Sequence, residues 1–126
     1  MAHLTLADRA RHILDAIAKI ETFTAGKTFD DCLADDMRRH AIERCLEIVS
    51  EASRHIPREV KARHPEIAWR GVADFGNVLR HDYPNAKDRR VWQIVTHDLG
   101  PLKAAVTTLL RDLEATGSEP PVEDAR

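Results

Sequence analysis

The residues best suited to chemistry fall in one short stretch, Asn77-Val78-Leu79-Arg80-His81-Asp82-Tyr83. An imidazole exchanges its proton near neutral pH, so a histidine set against a substrate hydroxyl can act as general acid or base. Asn77 precedes His81 by four residues. On a helix that spacing puts both side chains on one face, where an amide could orient the ring. Asp74 lies seven residues before His81, which predicts the same face about two turns away. The competing role for His81 is a cap on the helix C-terminus, where a positive charge meets the negative end of the dipole. The chemistry alone leans towards that cap. Tyr83, directly before Pro84, also has two readings. Its ring can pack on the body of the protein with the hydroxyl hydrogen-bonded, or its hydroxyl can stand exposed beside His81 and accept a modification. The chemistry alone favours packing. Arg38, Arg39, Arg44, Arg89 and Arg90 are most simply solvated helix-face charges or ion pairs, and some could instead form a patch for phosphates. His3, His12, His40, His55 and His64 lie among charges and read as incidental.

The rest of the chain must supply a scaffold for that stretch. Its 126 residues fit a single domain, with 43% hydrophobic and 32% charged residues. Few glycines, few prolines and only 5% aromatic residues favour helix over strand. The net charge of −2 excludes a nucleic-acid binder held by bulk positive charge, so any such contact needs a local basic patch. Cys32 and Cys45 lack the paired spacing of a zinc site and read as reduced core thiols, and no metal or cofactor is expected. No apolar run reaches the ~18 residues needed to span a membrane. The N-terminal stretch carries charges where a secretion signal would be apolar, so the expected compartment is the cytoplasm.

Apolar spacing lays out the helices. Ile13, Ala16, Ile17 and Ile20 predict an amphipathic helix over 6–23, with Thr5 as N-cap and Gly26 as stop. Thr28 opens a short helical turn, and Asp35-Asp36 begin a helix to about residue 55 with a broad apolar face. Pro57 ends it, one or two turns follow over 58–63, and Trp69 starts a helix to His81. Asn85 to Lys87 read as a turn and Asp88 as the cap of a last helix to about residue 115, kinked or restarted at Gly100-Pro101. The expectation is all-α, an up-and-down bundle of four to five helices in one domain over 1–116, with a polar, disordered tail over 117–126.

With the elements in order, a resemblance becomes visible. The stretches Arg38 to Ala52, His64 to Arg70, Asn77 to Tyr83, and Val91-Trp92 with the leucines after it resemble the HepT-like ribonuclease-toxin family, over about residues 5–113. The resemblance implies a fold of the HEPN superfamily (higher eukaryotes and prokaryotes nucleotide-binding) and a homodimer with two motifs around one cleft. It implies an RNase toxin that cuts RNA without metal and is neutralised by a minimal nucleotidyltransferase antitoxin. That antitoxin adds AMP to a motif tyrosine, here Tyr83. The family motif is Arg, four to six residues, His, any residue, Tyr. His81 and Tyr83 match it, but the position of the arginine, immediately before Asn77, holds Gly76. The implied roles are proton transfer for His81, orientation of the ring or contact with RNA for Asn77, and RNA contact for Arg80 and Arg44.

Gly76 leaves that site without its cation. Losing one preorganised stabiliser of the developing negative charge costs about 100–1000-fold in rate. Glycine also loosens a helix by about 1 kcal/mol relative to alanine. Arg80 is expected to point about 100° away from His81 around the helix, and Arg70 to lie about 16 Å off along it, so neither replaces the missing side chain. The chain is therefore expected to be an attenuated or inactive RNase. The alternative is a non-catalytic interaction protein on the same fold that binds the nucleotidyltransferase.

Overall fold

The computed structural model describes residues 4–81 and 84–117, with backbone alone at 84 and 85. Helix α1, Leu6–Thr24, begins in a capping box. The Thr5 hydroxyl accepts from the Asp8 amide at 3.1 Å, and the Asp8 carboxylate accepts from the Thr5 amide at 3.0 Å. Leu6, Ala10, Ile13, Ala16, Ile17 and Ile20 form its buried stripe. It ends where Gly26 takes φ +68°, a left-handed conformation that glycine adopts without strain. Thr28 and Asp31 repeat the same box at the start of α2, Phe29–Ala34.

Helix α3, Asp36–Ser53, starts at Asp35, whose side chain accepts from the Arg38 amide at 3.0 Å. It is the central rod, packed against α1 on one side and the helical segments Trp69–Ala73 and Phe75–His81 on another. Helix α4, Arg58–Ala62, follows Pro57, and the Trp69 indole then donates to the carbonyls of Lys61 and His64, both at 3.1 Å. That anchor fixes the entry into α5, Trp69–Ala73.

Three expectations need correction. The single helix over 69–81 is two, α5 and α6 (Phe75–His81), with a turn at Asp74. Asp74 therefore does not share a continuous helical face with His81. The turn expected over 85–87 is helical as well, because α7 spans Pro84–Gln93 and Asp88 lies within it rather than capping it. Proline is compatible with a first helical position, where its missing N–H costs nothing. Finally, Pro101 does not restart the helix. A π-helical turn over Ile94–Asp98 links α7 to α8, Leu99–Thr116, with the Leu99 amide bonded to the Ile94 carbonyl. Ile94 and Leu99, five residues apart, are both buried, and the widened turn lets them share a face. It also loosens the backbone just ahead of the proline, which cannot donate to the carbonyl four residues back.

Ring contact between Phe29 and Trp92, with centroids 5.9 Å apart, and an ion pair of 3.5 Å from Lys87 to Glu43 tie α7 to α2 and α3. The core draws on all eight α-helices, with Cys32 from α2 and Val60 from α4 among its members, so the described part of the molecule is an all-α bundle. Among the described residues no helix is long and apolar enough to cross a membrane. Gly117, at φ +64°, closes α8. The tail beyond it, read from the sequence as disordered, lies outside the described residues.

Candidate active site

The joint between α5 and α6 sets up the site. In an unbroken helix the Ala73 carbonyl would accept from the Asn77 amide. Here that amide turns to the Asp74 carbonyl at 3.0 Å. The freed Ala73 carbonyl instead accepts from the Ser50 hydroxyl at 2.8 Å and the Arg54 guanidinium at 2.9 Å. Two side chains one turn apart, Ser50 on α3 and Arg54 at its C-cap, thus hold the start of α6, while buried Phe75 pins its first residue into the core. Neither Ser50 nor Arg54 stood out in the sequence. Their spacing of four was the available signal, but their target lies 23 and 19 residues away.

Asn77 and His81 stand where their spacing predicts, both exposed on one row of α6. The neighbouring row is Gly76 and Arg80. The Arg80 side chain runs back one turn, towards the helix N-terminus, as long helical side chains do. A β-carbon on Gly76 would lie 3.1 Å from Arg80 Nη1 and 3.7 Å from Nη2. The guanidinium therefore sits against the bare α-carbon of position 76. The rotational offset between Arg80 and His81 fixes the base of the arginine side chain and not its head.

A groove of about 270 Å³ opens between Arg44, Glu47, Ser50 and Glu51 of α3, with Arg54 at its C-cap, and Gly76 and Arg80 of α6. Arg44, Arg80 and the Gly76 position are thus brought together. A second groove, about 630 Å³, adjoins it through Arg54 and is lined by Arg70, Gly71, Ala73 and Asp74. Glu47 pairs with Arg44 at 3.2 Å and Glu51 with His55 at 3.3 Å. No carboxylate among the described residues pairs with Arg70 or Arg80. Such a surface suits a chain of phosphates.

Tyr83 lies outside the described residues. Cys32 and Cys45 are free and buried, and burial pushes both thiols up from their ordinary range, so neither is poised as a nucleophile. No group of three or more metal-ligating side chains occurs among the described residues.

The family model for HepT-like ribonucleases matches residues 13–109. The chain belongs to the HepT-like ribonuclease family. A Thermococcus cleftensis protein described as a probable ribonuclease HepT is 41% identical over 96 residues, covering 76% of this chain and 87% of that protein. A Methanocaldococcus jannaschii protein described, by inference, as an RNase is 30% identical, covering 75% of this chain and 86% of that protein. Another so described, from Caldanaerobacter subterraneus, is 27% identical, with coverage of 79% and 89%. No solved structure matches the chain. The matched span of this HepT-like chain takes in α6 and both grooves, so the site belongs to the part shared with these relatives.

Proposed function

We propose that this chain is a metal-independent endoribonuclease, the toxin of a two-gene toxin–antitoxin pair that acts as a cytoplasmic homodimer. The observation that carries this reading is the exposed Asn77–His81 row beside an arginine-lined groove. His81 takes the proton of an RNA 2′-hydroxyl as its oxygen bonds to the adjacent phosphorus. The P–O5′ bond breaks, a 2′,3′-cyclic phosphate forms, and the leaving 5′-oxygen takes a proton from water. Asn77 orients the ring or the bound nucleotide, and Arg44 and Arg80 contact phosphates. The exposure of His81 leaves its helix tip open to a second copy across a shared cleft. A minimal nucleotidyltransferase antitoxin silences the enzyme by transferring AMP from ATP to the Tyr83 hydroxyl and releasing pyrophosphate. The added negative charge beside His81 repels the RNA backbone.

The test is cleavage of single-stranded RNA in the presence of EDTA by the purified chain and by His81→Ala. The expected result is cleavage by the first and a loss of about 100- to 10,000-fold in the second, the usual worth of a positioned general acid or base. A chain that neither cuts RNA nor arrests growth, yet co-purifies with a nucleotidyltransferase, would instead be the non-catalytic interaction protein. Incubation with the nucleotidyltransferase and ATP should add the mass of one adenylyl group (AMP less water), and Tyr83→Phe should abolish the addition.

A further inference from the structure

We propose that Arg80 supplies the cation that position 76 lacks, with Gly76 as the seat its guanidinium occupies during RNA cleavage. This inference rests on the RNase reading above. Its first support is the fit. The three atoms nearest to a β-carbon at Gly76 all belong to the Arg80 guanidinium, at 3.1, 3.7 and 3.8 Å. No atom of α3 comes closer, although α3 forms the opposite wall of the groove. Any larger residue at position 76 would compete with the guanidinium for this space.

The second support is charge. Glu47 and Glu51, the carboxylates of that groove, are engaged by Arg44 and His55. Arg80 has no acidic partner among the described residues and is exposed. Its planar fork is thus free to take two oxygens of one phosphate, a geometry a lysine cannot reproduce. The third support is placement. The Gly76–Arg80 row is adjacent to the Asn77–His81 row on α6, so a phosphate laid across the boundary between the rows would have the cation on one side and the proton acceptor on the other. As the 2′-oxygen closes on phosphorus and the P–O5′ bond opens, His81 holds the transferred proton and Arg80 meets the extra charge on the non-bridging oxygens.

Single-turnover cleavage rates and RNA affinities test this in five variants, each first checked for an unchanged helical spectrum. Arg80→Ala should lower the rate about 100–1000-fold, well beyond its effect on binding. Arg80→Lys should recover little of it. Gly76→Ala, which leaves Arg80 in place but crowds its seat, should also lower the rate. Combined with Arg80→Ala it should cost nothing further, since the two changes remove one interaction. If Arg80→Ala keeps the rate within about threefold while His81→Ala abolishes cleavage, the role of Arg80 is wrong and the RNase reading stands. If the losses at 76 and 80 simply add, the guanidinium acts from elsewhere and the seat is wrong. If the parent chain does not cut RNA, or His81→Ala leaves cleavage intact, the RNase reading itself falls and takes this inference with it.

Discussion

A single backbone carbonyl, that of Ala73, decides where the motif helix begins. Its two donors come from α3 and its C-cap, and Ser50 is 3% exposed. Ser50→Ala removes one donor and leaves Arg54 to satisfy the carbonyl. The expected cost is about 1 kcal/mol, read as a lower midpoint in urea unfolding. Because the lost bond holds the start of α6, the cleavage rate should fall more than RNA binding does. An unchanged midpoint would show that Arg54 alone secures the joint. The contrast with Asn77 and His81 shows what the sequence discloses at this scale. Their relation is local, a spacing of four that any helix converts into a shared face. The bonds to Ala73 cross 23 and 19 residues and depend on how α3 packs. The reach of Arg80 depends on the empty space above Gly76, a property of the fold that no periodicity records.

At the scale of elements, starts were more legible than joints. Each of the first three helices opens with an aspartate in a hydrogen bond to a nearby amide, a pattern written in adjacent residues. The break at Asp74 and the π turn over Ile94–Asp98 answer tertiary demands, the capture of a carbonyl and the burial of residues five apart. The caps carry a pH dependence whose sign follows from their bonds. Backbone amides at Thr5, Thr28 and Arg38 hold the carboxylates of Asp8, Asp31 and Asp35 below their ordinary value of 3.8. In the unfolded chain these groups take up protons near 3.8, before their folded counterparts do. Their contribution is therefore complete above that value and drains away as pH falls through the lower folded values. Melting temperatures should hold on the neutral side and decline in acid. Replacing Asp8 and Asp31 with Asn should flatten the decline, and an equally steep decline in that variant would assign acid sensitivity to other groups.

For the whole molecule, the overall charge of −2 hides a local asymmetry. The composition argues against a binder held by bulk positive charge, but it cannot say which arginines gather. Folding brings Arg54, Arg70 and Arg80 from three helices around two adjoining grooves, beside an Arg44 already paired with Glu47. Each phosphate neutralised on a single strand releases counterions and contributes about −0.7 to the slope of log affinity against log salt. Three guanidiniums in one protomer that lack a carboxylate partner among the described residues therefore predict a slope near −2 for single-stranded RNA, and a steeper one if both copies of a dimer grip the same strand. Arg70→Ala should make the slope shallower by at least about 0.7 and weaken binding alike for all sequences. It should barely touch the single-turnover rate at saturating RNA, because Arg70 lines the outer groove away from α6. Arg80→Ala should shift the slope by a similar amount, about 0.7, but bring a large loss of rate as well. That split separates a residue that holds the strand from one that meets the reacting phosphate. A slope near zero, or one indifferent to Arg70, would place the RNA on another face of the bundle.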